Sequence, residues 1–188
     1  MRDGNGSPPG PSVDRGGIFN PLLDFYRAAG ITPPEFVEVP GEKMPEPYRS
    51  LLVHSGDMTP ALEAFHKRKI YLQVIESQRD PIYRRQVVLH LDGTAQAVEF
   101  GAIVIHLENF TAPPRAEILQ GKHPLGSILH DHSVLHLSQP RSFFSVKSDA
   151  SIEAALGMKR SAVLYGRGNR LVAPNGDPLA EIIEILPE

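Results

Sequence analysis

The chain of 188 residues has the usual size of one domain, and 41% apolar residues suffice for a continuous core without metal or disulfide cross-links. It contains no cysteine, which excludes disulfides, iron–sulfur clusters, thiolate zinc sites and cysteine nucleophiles. The net charge of −3 is spread along the chain and no apolar run could span a bilayer, so a small-molecule partner is favoured over nucleic acid or membrane. We therefore expect a cytoplasmic protein, either a monomer or a small homo-oligomer.

The N-terminal part of the chain changes composition twice. Residues 1–17 are glycine, proline, serine and charged residues with almost no apolar side chain, which predicts a disordered leader ahead of a single domain at residues 18–188. Residues 18–29 place apolar side chains at helical spacing and stop at Gly30, which predicts a helix with a glycine cap. Five prolines within residues 31–47 then predict a surface loop or strap.

Two short helices are predicted next. Residues 48–53 resume a helical pattern after the prolines. Thr59 followed by Pro60 is typical of a helix start, with the threonine as N-cap and the proline at the first helical position. The second helix is therefore expected over residues 61–67.

The rest of the chain is dominated by β-branched residues in alternating patterns. Asp92 and Gly93 predict a tight hairpin turn between two of the strands. Strands are predicted at residues 70–77, 86–91, 97–106, 142–146, 161–172 and 179–186, and short helices at residues 114–119, 124–130 and 151–156. Hairpins join most strands and the helices come in blocks, so we expect an α+β fold: a single antiparallel sheet of about six strands with helices packed on one side.

Four motifs, in a fixed order, carry a resemblance to a known family. They are LLVHSGDMTPALEAF (residues 51–65), YRRQVVLHLDG (83–93), GKHPLGSIL (121–129) and the pair LYGRGNRL (164–171) and PLAEIIEILP (178–187). Together they resemble the chorismate pyruvate-lyase (4-hydroxybenzoate synthase) family, with its chorismate lyase-like (UTRA-like) fold. The resemblance implies an enzyme that eliminates pyruvate from chorismate to give 4-hydroxybenzoate, with no metal or other cofactor.

The same motifs imply which residues contact the substrate. Arg85 matches the family's substrate-binding arginine, and a guanidinium suits a buried carboxylate because it donates two parallel hydrogen bonds. Arg84 is its neighbour on the strand and should face the other way. Met58 and Leu125 lie at predicted helix starts, where free backbone N–H groups favour an anion, and Gly126 would let the backbone approach the ligand.

Two glutamates near the C-terminus fit the family's catalytic position. Glu181 and Glu184 are three residues apart, so a regular strand places them on opposite faces and only one can enter a pocket. Glu184 is preferred because it is embedded among apolar strand residues, as a proton-transferring acid would be, while Glu181 stays open. The chain departs from the family at Gln86, where related enzymes have glutamate, and Gln86 should face away from Arg85.

A histidine cluster raises the question of a metal site. His130, His132 and His136 have suitable residue types, but metal ligation needs three or four groups that converge on one point. No helix is predicted to align the pair four residues apart, and the cluster lies outside the matched motifs. We therefore expect solvated histidines or histidines at a pocket rim, and no metal.

Other functions fit the same fold. It also serves as the effector-binding domain of bacterial transcription regulators, in which a winged helix-turn-helix precedes the sheet. The first 50 residues show no basic recognition helix, which favours the enzyme interpretation. A lyase that acts on a related chorismate-derived substrate is the third alternative.

Overall fold

The computed structural model describes residues 17–79 and 82–188. Apart from Gly17, the predicted leader lies outside the described residues. Within them the helices are α1 (Asn20–Ala29), α2 (Tyr48–Leu52), α3 (Met58–His66), α4 (Ala112–Gln120), α5 (Leu125–Asp131) and α6 (Ala150–Leu156). The strands are β1 (Phe36–Glu38), β2 (Ile70–Gln78), β3 (Tyr83–Leu91), β4 (Ala97–Ile105), β5 (Leu137–Lys147), β6 (Val163–Val172) and β7 (Pro178–Leu186).

The strands form one sheet in the order β1-β5-β6-β7-β4-β3-β2, and every neighbouring pair is antiparallel. This confirms the predicted α+β fold with a single antiparallel sheet. The prediction of about six strands missed β1, which lies within the proline-rich strap at residues 31–47. β1 is a three-residue edge strand that pairs with β5 more than 100 residues later, and no local pattern announces such a pairing.

Successive residues of a strand point to opposite faces of the sheet, and helices pack against both faces. On one face, α2 to α5 pack against residues such as Val87 and Ile103, which confirms the predicted helical side. α1 and α6 pack against the opposite face, where the next residue of β3, Val88, joins Phe100 and Ile183. β3 and β4 are therefore covered on both sides, and most of their residues are buried.

The start of α3 differs from the prediction. The helix begins at Met58, and Asp57 precedes it in an extended conformation with φ −73° and ψ 145°. Thr59 and Pro60 thus lie within the first turn, and Thr59 is not the N-cap. Proline is tolerated there because first-turn N–H groups have no partner inside the helix.

None of the helices in the described part of the chain is long and apolar enough to cross a bilayer.

Candidate ligand-binding site

A cavity of about 60 Å³ lies on the sheet face that α2 to α5 cover. Its floor is formed by β3, β4, β6 and β7, and its rim by the starts of α3 and α5. Its polar side chains are those of Asp57, Thr59, Arg85, Glu99, Asn169 and Glu184. The cavity is far smaller than the ~300–1,000 Å³ of typical drug-sized pockets, so it suits a compact ligand.

Most of the residues that the family resemblance singled out line this one cavity. Met58 and Leu125 are the first residues of α3 and α5, and they form the rim together with Gly126. Arg85 on β3 and Glu184 on β7 project from the floor. Among the described residues no side chain caps the start of α3, so its first-turn N–H groups remain available at the rim.

Arg85 and Arg84 point to opposite faces of the sheet. Arg84 donates to Asp24 of α1 at 2.6 Å, whereas Arg85 is 2% exposed and lines the cavity. Gln86 faces the side away from Arg85, as predicted. The alternation of strand residues thus determines which of the two arginines reaches the cavity.

The guanidinium of Arg85 is mostly unpartnered. Its Nη2 donates to the carbonyl of His123 at 3.4 Å, while Nε and Nη1 are buried and have no hydrogen-bond partner in the described part of the chain. Within residues 17–79 and 82–188, no carboxylate forms a salt bridge with it. Burial lowers the pKa of Arg85, and Tyr83 partly opposes this, but an arginine remains charged in proteins. The cavity therefore contains a buried cation with two unused donors.

Glu184 is buried in the cavity, and its carboxylate is paired with Arg167 of β6. Arg167 is completely buried, and its Nε donates to Glu184. Its Nη1 donates to the carbonyls of His54 at 3.0 Å and Leu52 at 3.3 Å, and its Nη2 to the carbonyl of Gly56 at 3.1 Å. The pair is neutral as a unit and connects the sheet to the segment between α2 and α3.

Glu181 lies on the other face of β7, as the strand period predicts. It contacts Nε2 of His106 at 2.8 Å, and Arg170 approaches it at 3.8 Å. Glu181 does not line the cavity that contains Glu184.

Glu99 on β4 was missed in the sequence. It is 5% exposed and lines the cavity, and its Oε2 has no hydrogen-bond partner within residues 17–79 and 82–188. Burial raises the pKa of this carboxyl well above its usual range, the charge of Glu184 raises it further, and Arg167 acts in the opposite sense. Glu99 is an acid within an apolar strand, the same signal that singled out Glu184, so the sequence could have revealed it.

The histidines of the cluster do not share a common partner. His132 contacts Glu117 at 2.7 Å, and Nε2 of His136 contacts Asp57 at 3.0 Å on the cavity rim. Among the described residues, no group of three histidine or carboxylate side chains is placed to hold a metal ion. His136 therefore supplies a partner for Asp57, a residue of the cavity rim.

Neither a model of a known protein family nor a curated protein sequence matches this chain. Solved structures do match its fold. The effector domain of PhnF from Mycobacterium smegmatis is 12% identical, with 72% of this chain and 91% of that chain covered and a TM-score of 0.55. The structure of PhnF from the same organism is 11% identical, with 71% of this chain and 64% of that chain covered and a TM-score of 0.53.

The possible transcriptional regulator YydK from Bacillus subtilis matches over more of this chain. It is 13% identical, with 90% of this chain and 92% of that chain covered and a TM-score of 0.52. At such identities the likeness is one of fold. The chain has the chorismate lyase-like (UTRA-like) fold, which these regulator domains share.

Proposed function

We propose that this domain binds a small anionic molecule in the cavity and that Arg85 holds the acidic group of that molecule. The observation that supports this is the pair of buried, unpartnered donors on Arg85. A buried donor without a partner costs about 1–3 kcal/mol, and more when the group is charged. A ligand carboxylate that accepts two parallel hydrogen bonds would remove this cost.

Binding without conversion is supported by the state of Glu184. Its carboxylate is engaged by Arg167, whose remaining donors are used by backbone carbonyls of residues 52–56. The pair fixes the position of this carboxylate, so that Glu184 acts as a wall of the cavity. The likeness in fold to the effector domain of PhnF supports a ligand-sensing role by analogy.

The first prediction compares the two adjacent arginines. Replacing Arg85 by alanine should weaken binding of 4-hydroxybenzoate or benzoate by about 2–5 kcal/mol, because a buried charge loses its partner. The Arg84→Ala variant is the matched control and should bind as the parent does, since Arg84 contacts Asp24 on the opposite face. Isothermal titration calorimetry measures both. Equal losses in the two variants would contradict the assignment of Arg85.

A chorismate lyase is the second candidate function. One observation favours it: Arg85, Glu184, Met58 and Leu125, which the family resemblance matches, line the same cavity. The lyase would use Arg85 for a substrate carboxylate and Glu184 for proton transfer, without a cofactor. A lyase with a related chorismate-derived substrate would use the same groups.

The second prediction separates the two functions. Purified protein incubated with chorismate and a chelator should release no pyruvate above the uncatalysed rate, because Glu184 is held by Arg167. Pyruvate together with 4-hydroxybenzoate would instead support the lyase, and 3-hydroxybenzoate a related one. If turnover occurs, Glu184→Gln should lower it about 100-fold, the effect of a general acid–base group, while Glu181→Gln should not.

A further inference from the structure

Some ionisable groups of the cavity are paired with a group of opposite charge, and others are not. Asp57 on the rim contacts His136, and Glu184 is paired with Arg167. In the part of the chain that the structure describes, Arg85 and Glu99 take part in no salt bridge, although both are more than nine-tenths buried. Arg85 is therefore the cavity's uncompensated cation, and Glu99 is its isolated carboxyl.

Glu99 lies at a defined distance from Arg85 along the sheet. Its Oε1 is 3.5 Å from the position that a Cβ atom would take on Gly101, so the carboxyl lies over this glycine. Gly101 pairs with Val87, two residues from Arg85 on β3. Two residues of a strand span about 7 Å, so the part of the sheet over which the Glu99 carboxyl lies is about 7 Å from the backbone of Arg85.

The missing side chain at Gly101 keeps this part of the floor open. A Cβ atom there would come within 2.5 Å of the carbonyl oxygen of Ile183 on β7, so the close approach of the two strands requires glycine. Glu99 can therefore fold over the strand towards the cavity. Its buried Oε2, which has no hydrogen-bond partner among the described residues, is available to a ligand.

We infer that Glu99 is a specificity-determining residue, which in its neutral form donates a hydrogen bond to an uncharged oxygen of a ligand whose single acidic group lies on Arg85. This inference rests on the proposed function. A second ligand carboxylate next to Glu99 and Glu184 would be buried close to two acidic side chains, and Arg167, the cation of this region, is already engaged by Glu184 and backbone carbonyls, so such burial is strongly unfavourable. The ligand class is therefore monoanions that also carry a hydroxyl or carbonyl oxygen.

Three probes of similar size test this inference by calorimetry. They are benzoate, 4-hydroxybenzoate with its added hydroxyl, and terephthalate with a second carboxylate. We expect 4-hydroxybenzoate to bind about tenfold more tightly than benzoate, the effect of one good hydrogen bond, and terephthalate to bind more weakly than benzoate. Glu99→Gln keeps a neutral donor and should preserve this order. Glu99→Leu removes the donor and should bring 4-hydroxybenzoate to the level of benzoate.

The outcomes separate this inference from the function on which it rests. Binding of benzoate with no gain from the hydroxyl, or loss of the gain in Glu99→Gln, would overturn the role of Glu99 and leave that of Arg85 intact. Terephthalate as the tightest ligand would also overturn it. If none of the three probes binds to the parent protein, both the anion site and the inference are wrong. Retained binding of benzoate by Glu99→Leu shows that this variant is folded.

Discussion

Replacement of Arg167 by methionine is expected to lower the free energy of unfolding by about 3–5 kcal/mol, the usual effect of breaking a buried ion pair. Arg167 is completely buried, so its removal leaves the carboxylate of Glu184 in the interior without a cation. The carbonyls of Leu52, His54 and Gly56 lose their donor as well. Urea denaturation followed by far-ultraviolet circular dichroism measures the change.

Two further variants show whether the loss arises from the buried pair. Arg170→Met, on the same strand, is the matched control. The Arg170 side chain is 39% exposed and lies 3.8 Å from Glu181, so its loss should cost less than about 1 kcal/mol. The double variant Arg167→Met/Glu184→Leu removes both charges and should recover much of the stability. Equal destabilisation by Arg167→Met and Arg170→Met would show that the buried pair contributes no more to the free energy of unfolding than the exposed arginine does.

The sheet and the facing of its residues could be predicted because they depend on local patterns. Asp92 and Gly93 predicted the β3–β4 hairpin, and Gly93 adopts the positive φ of 70° that such turns need. The period of two in a strand placed Arg84 and Arg85 on opposite faces, and Glu181 and Glu184 likewise. Neighbouring residues suffice for such inferences.

The features that escaped prediction depend on distant parts of the chain. β1 forms only because the edge of β5 is present to pair with it. Arg167 stands between two glycines in a strand, where nothing local marks it as buried, and its carbonyl partners lie 111 to 115 residues earlier. Glu99 is different, because its apolar neighbours were visible in the sequence. The rule that singled out Glu184, an acid embedded among apolar strand residues, applies equally to Glu99.

Glu99 should also make the stability of the protein depend on pH. In the unfolded chain its carboxyl titrates near the ordinary value of 4.5, whereas in the folded state burial, reinforced by Glu184 and opposed by Arg167, raises the pKa well above that value. Between these two pKa values the folded state retains a proton that the unfolded state has released. The free energy of unfolding therefore falls as the pH rises, by about 1.4 kcal/mol per pH unit for this one group.

The Glu99→Gln variant lacks this titration, so its stability should exceed that of the parent by a margin that grows as the pH rises above about 4.5. Urea denaturation at about one-unit steps from pH 5 to about pH 8 measures the margin, and its growth ends where Glu99 ionises in the folded state. Glu99→Leu is the control, because it also removes the titrating proton and keeps a side chain of similar size. The difference in stability between Glu99→Leu and the parent should change with pH by the same amount as that of Glu99→Gln, with a constant offset. A margin independent of pH would mean that Glu99 is ionised in the folded protein throughout this range, and a neutral donor to the ligand would then be excluded as well.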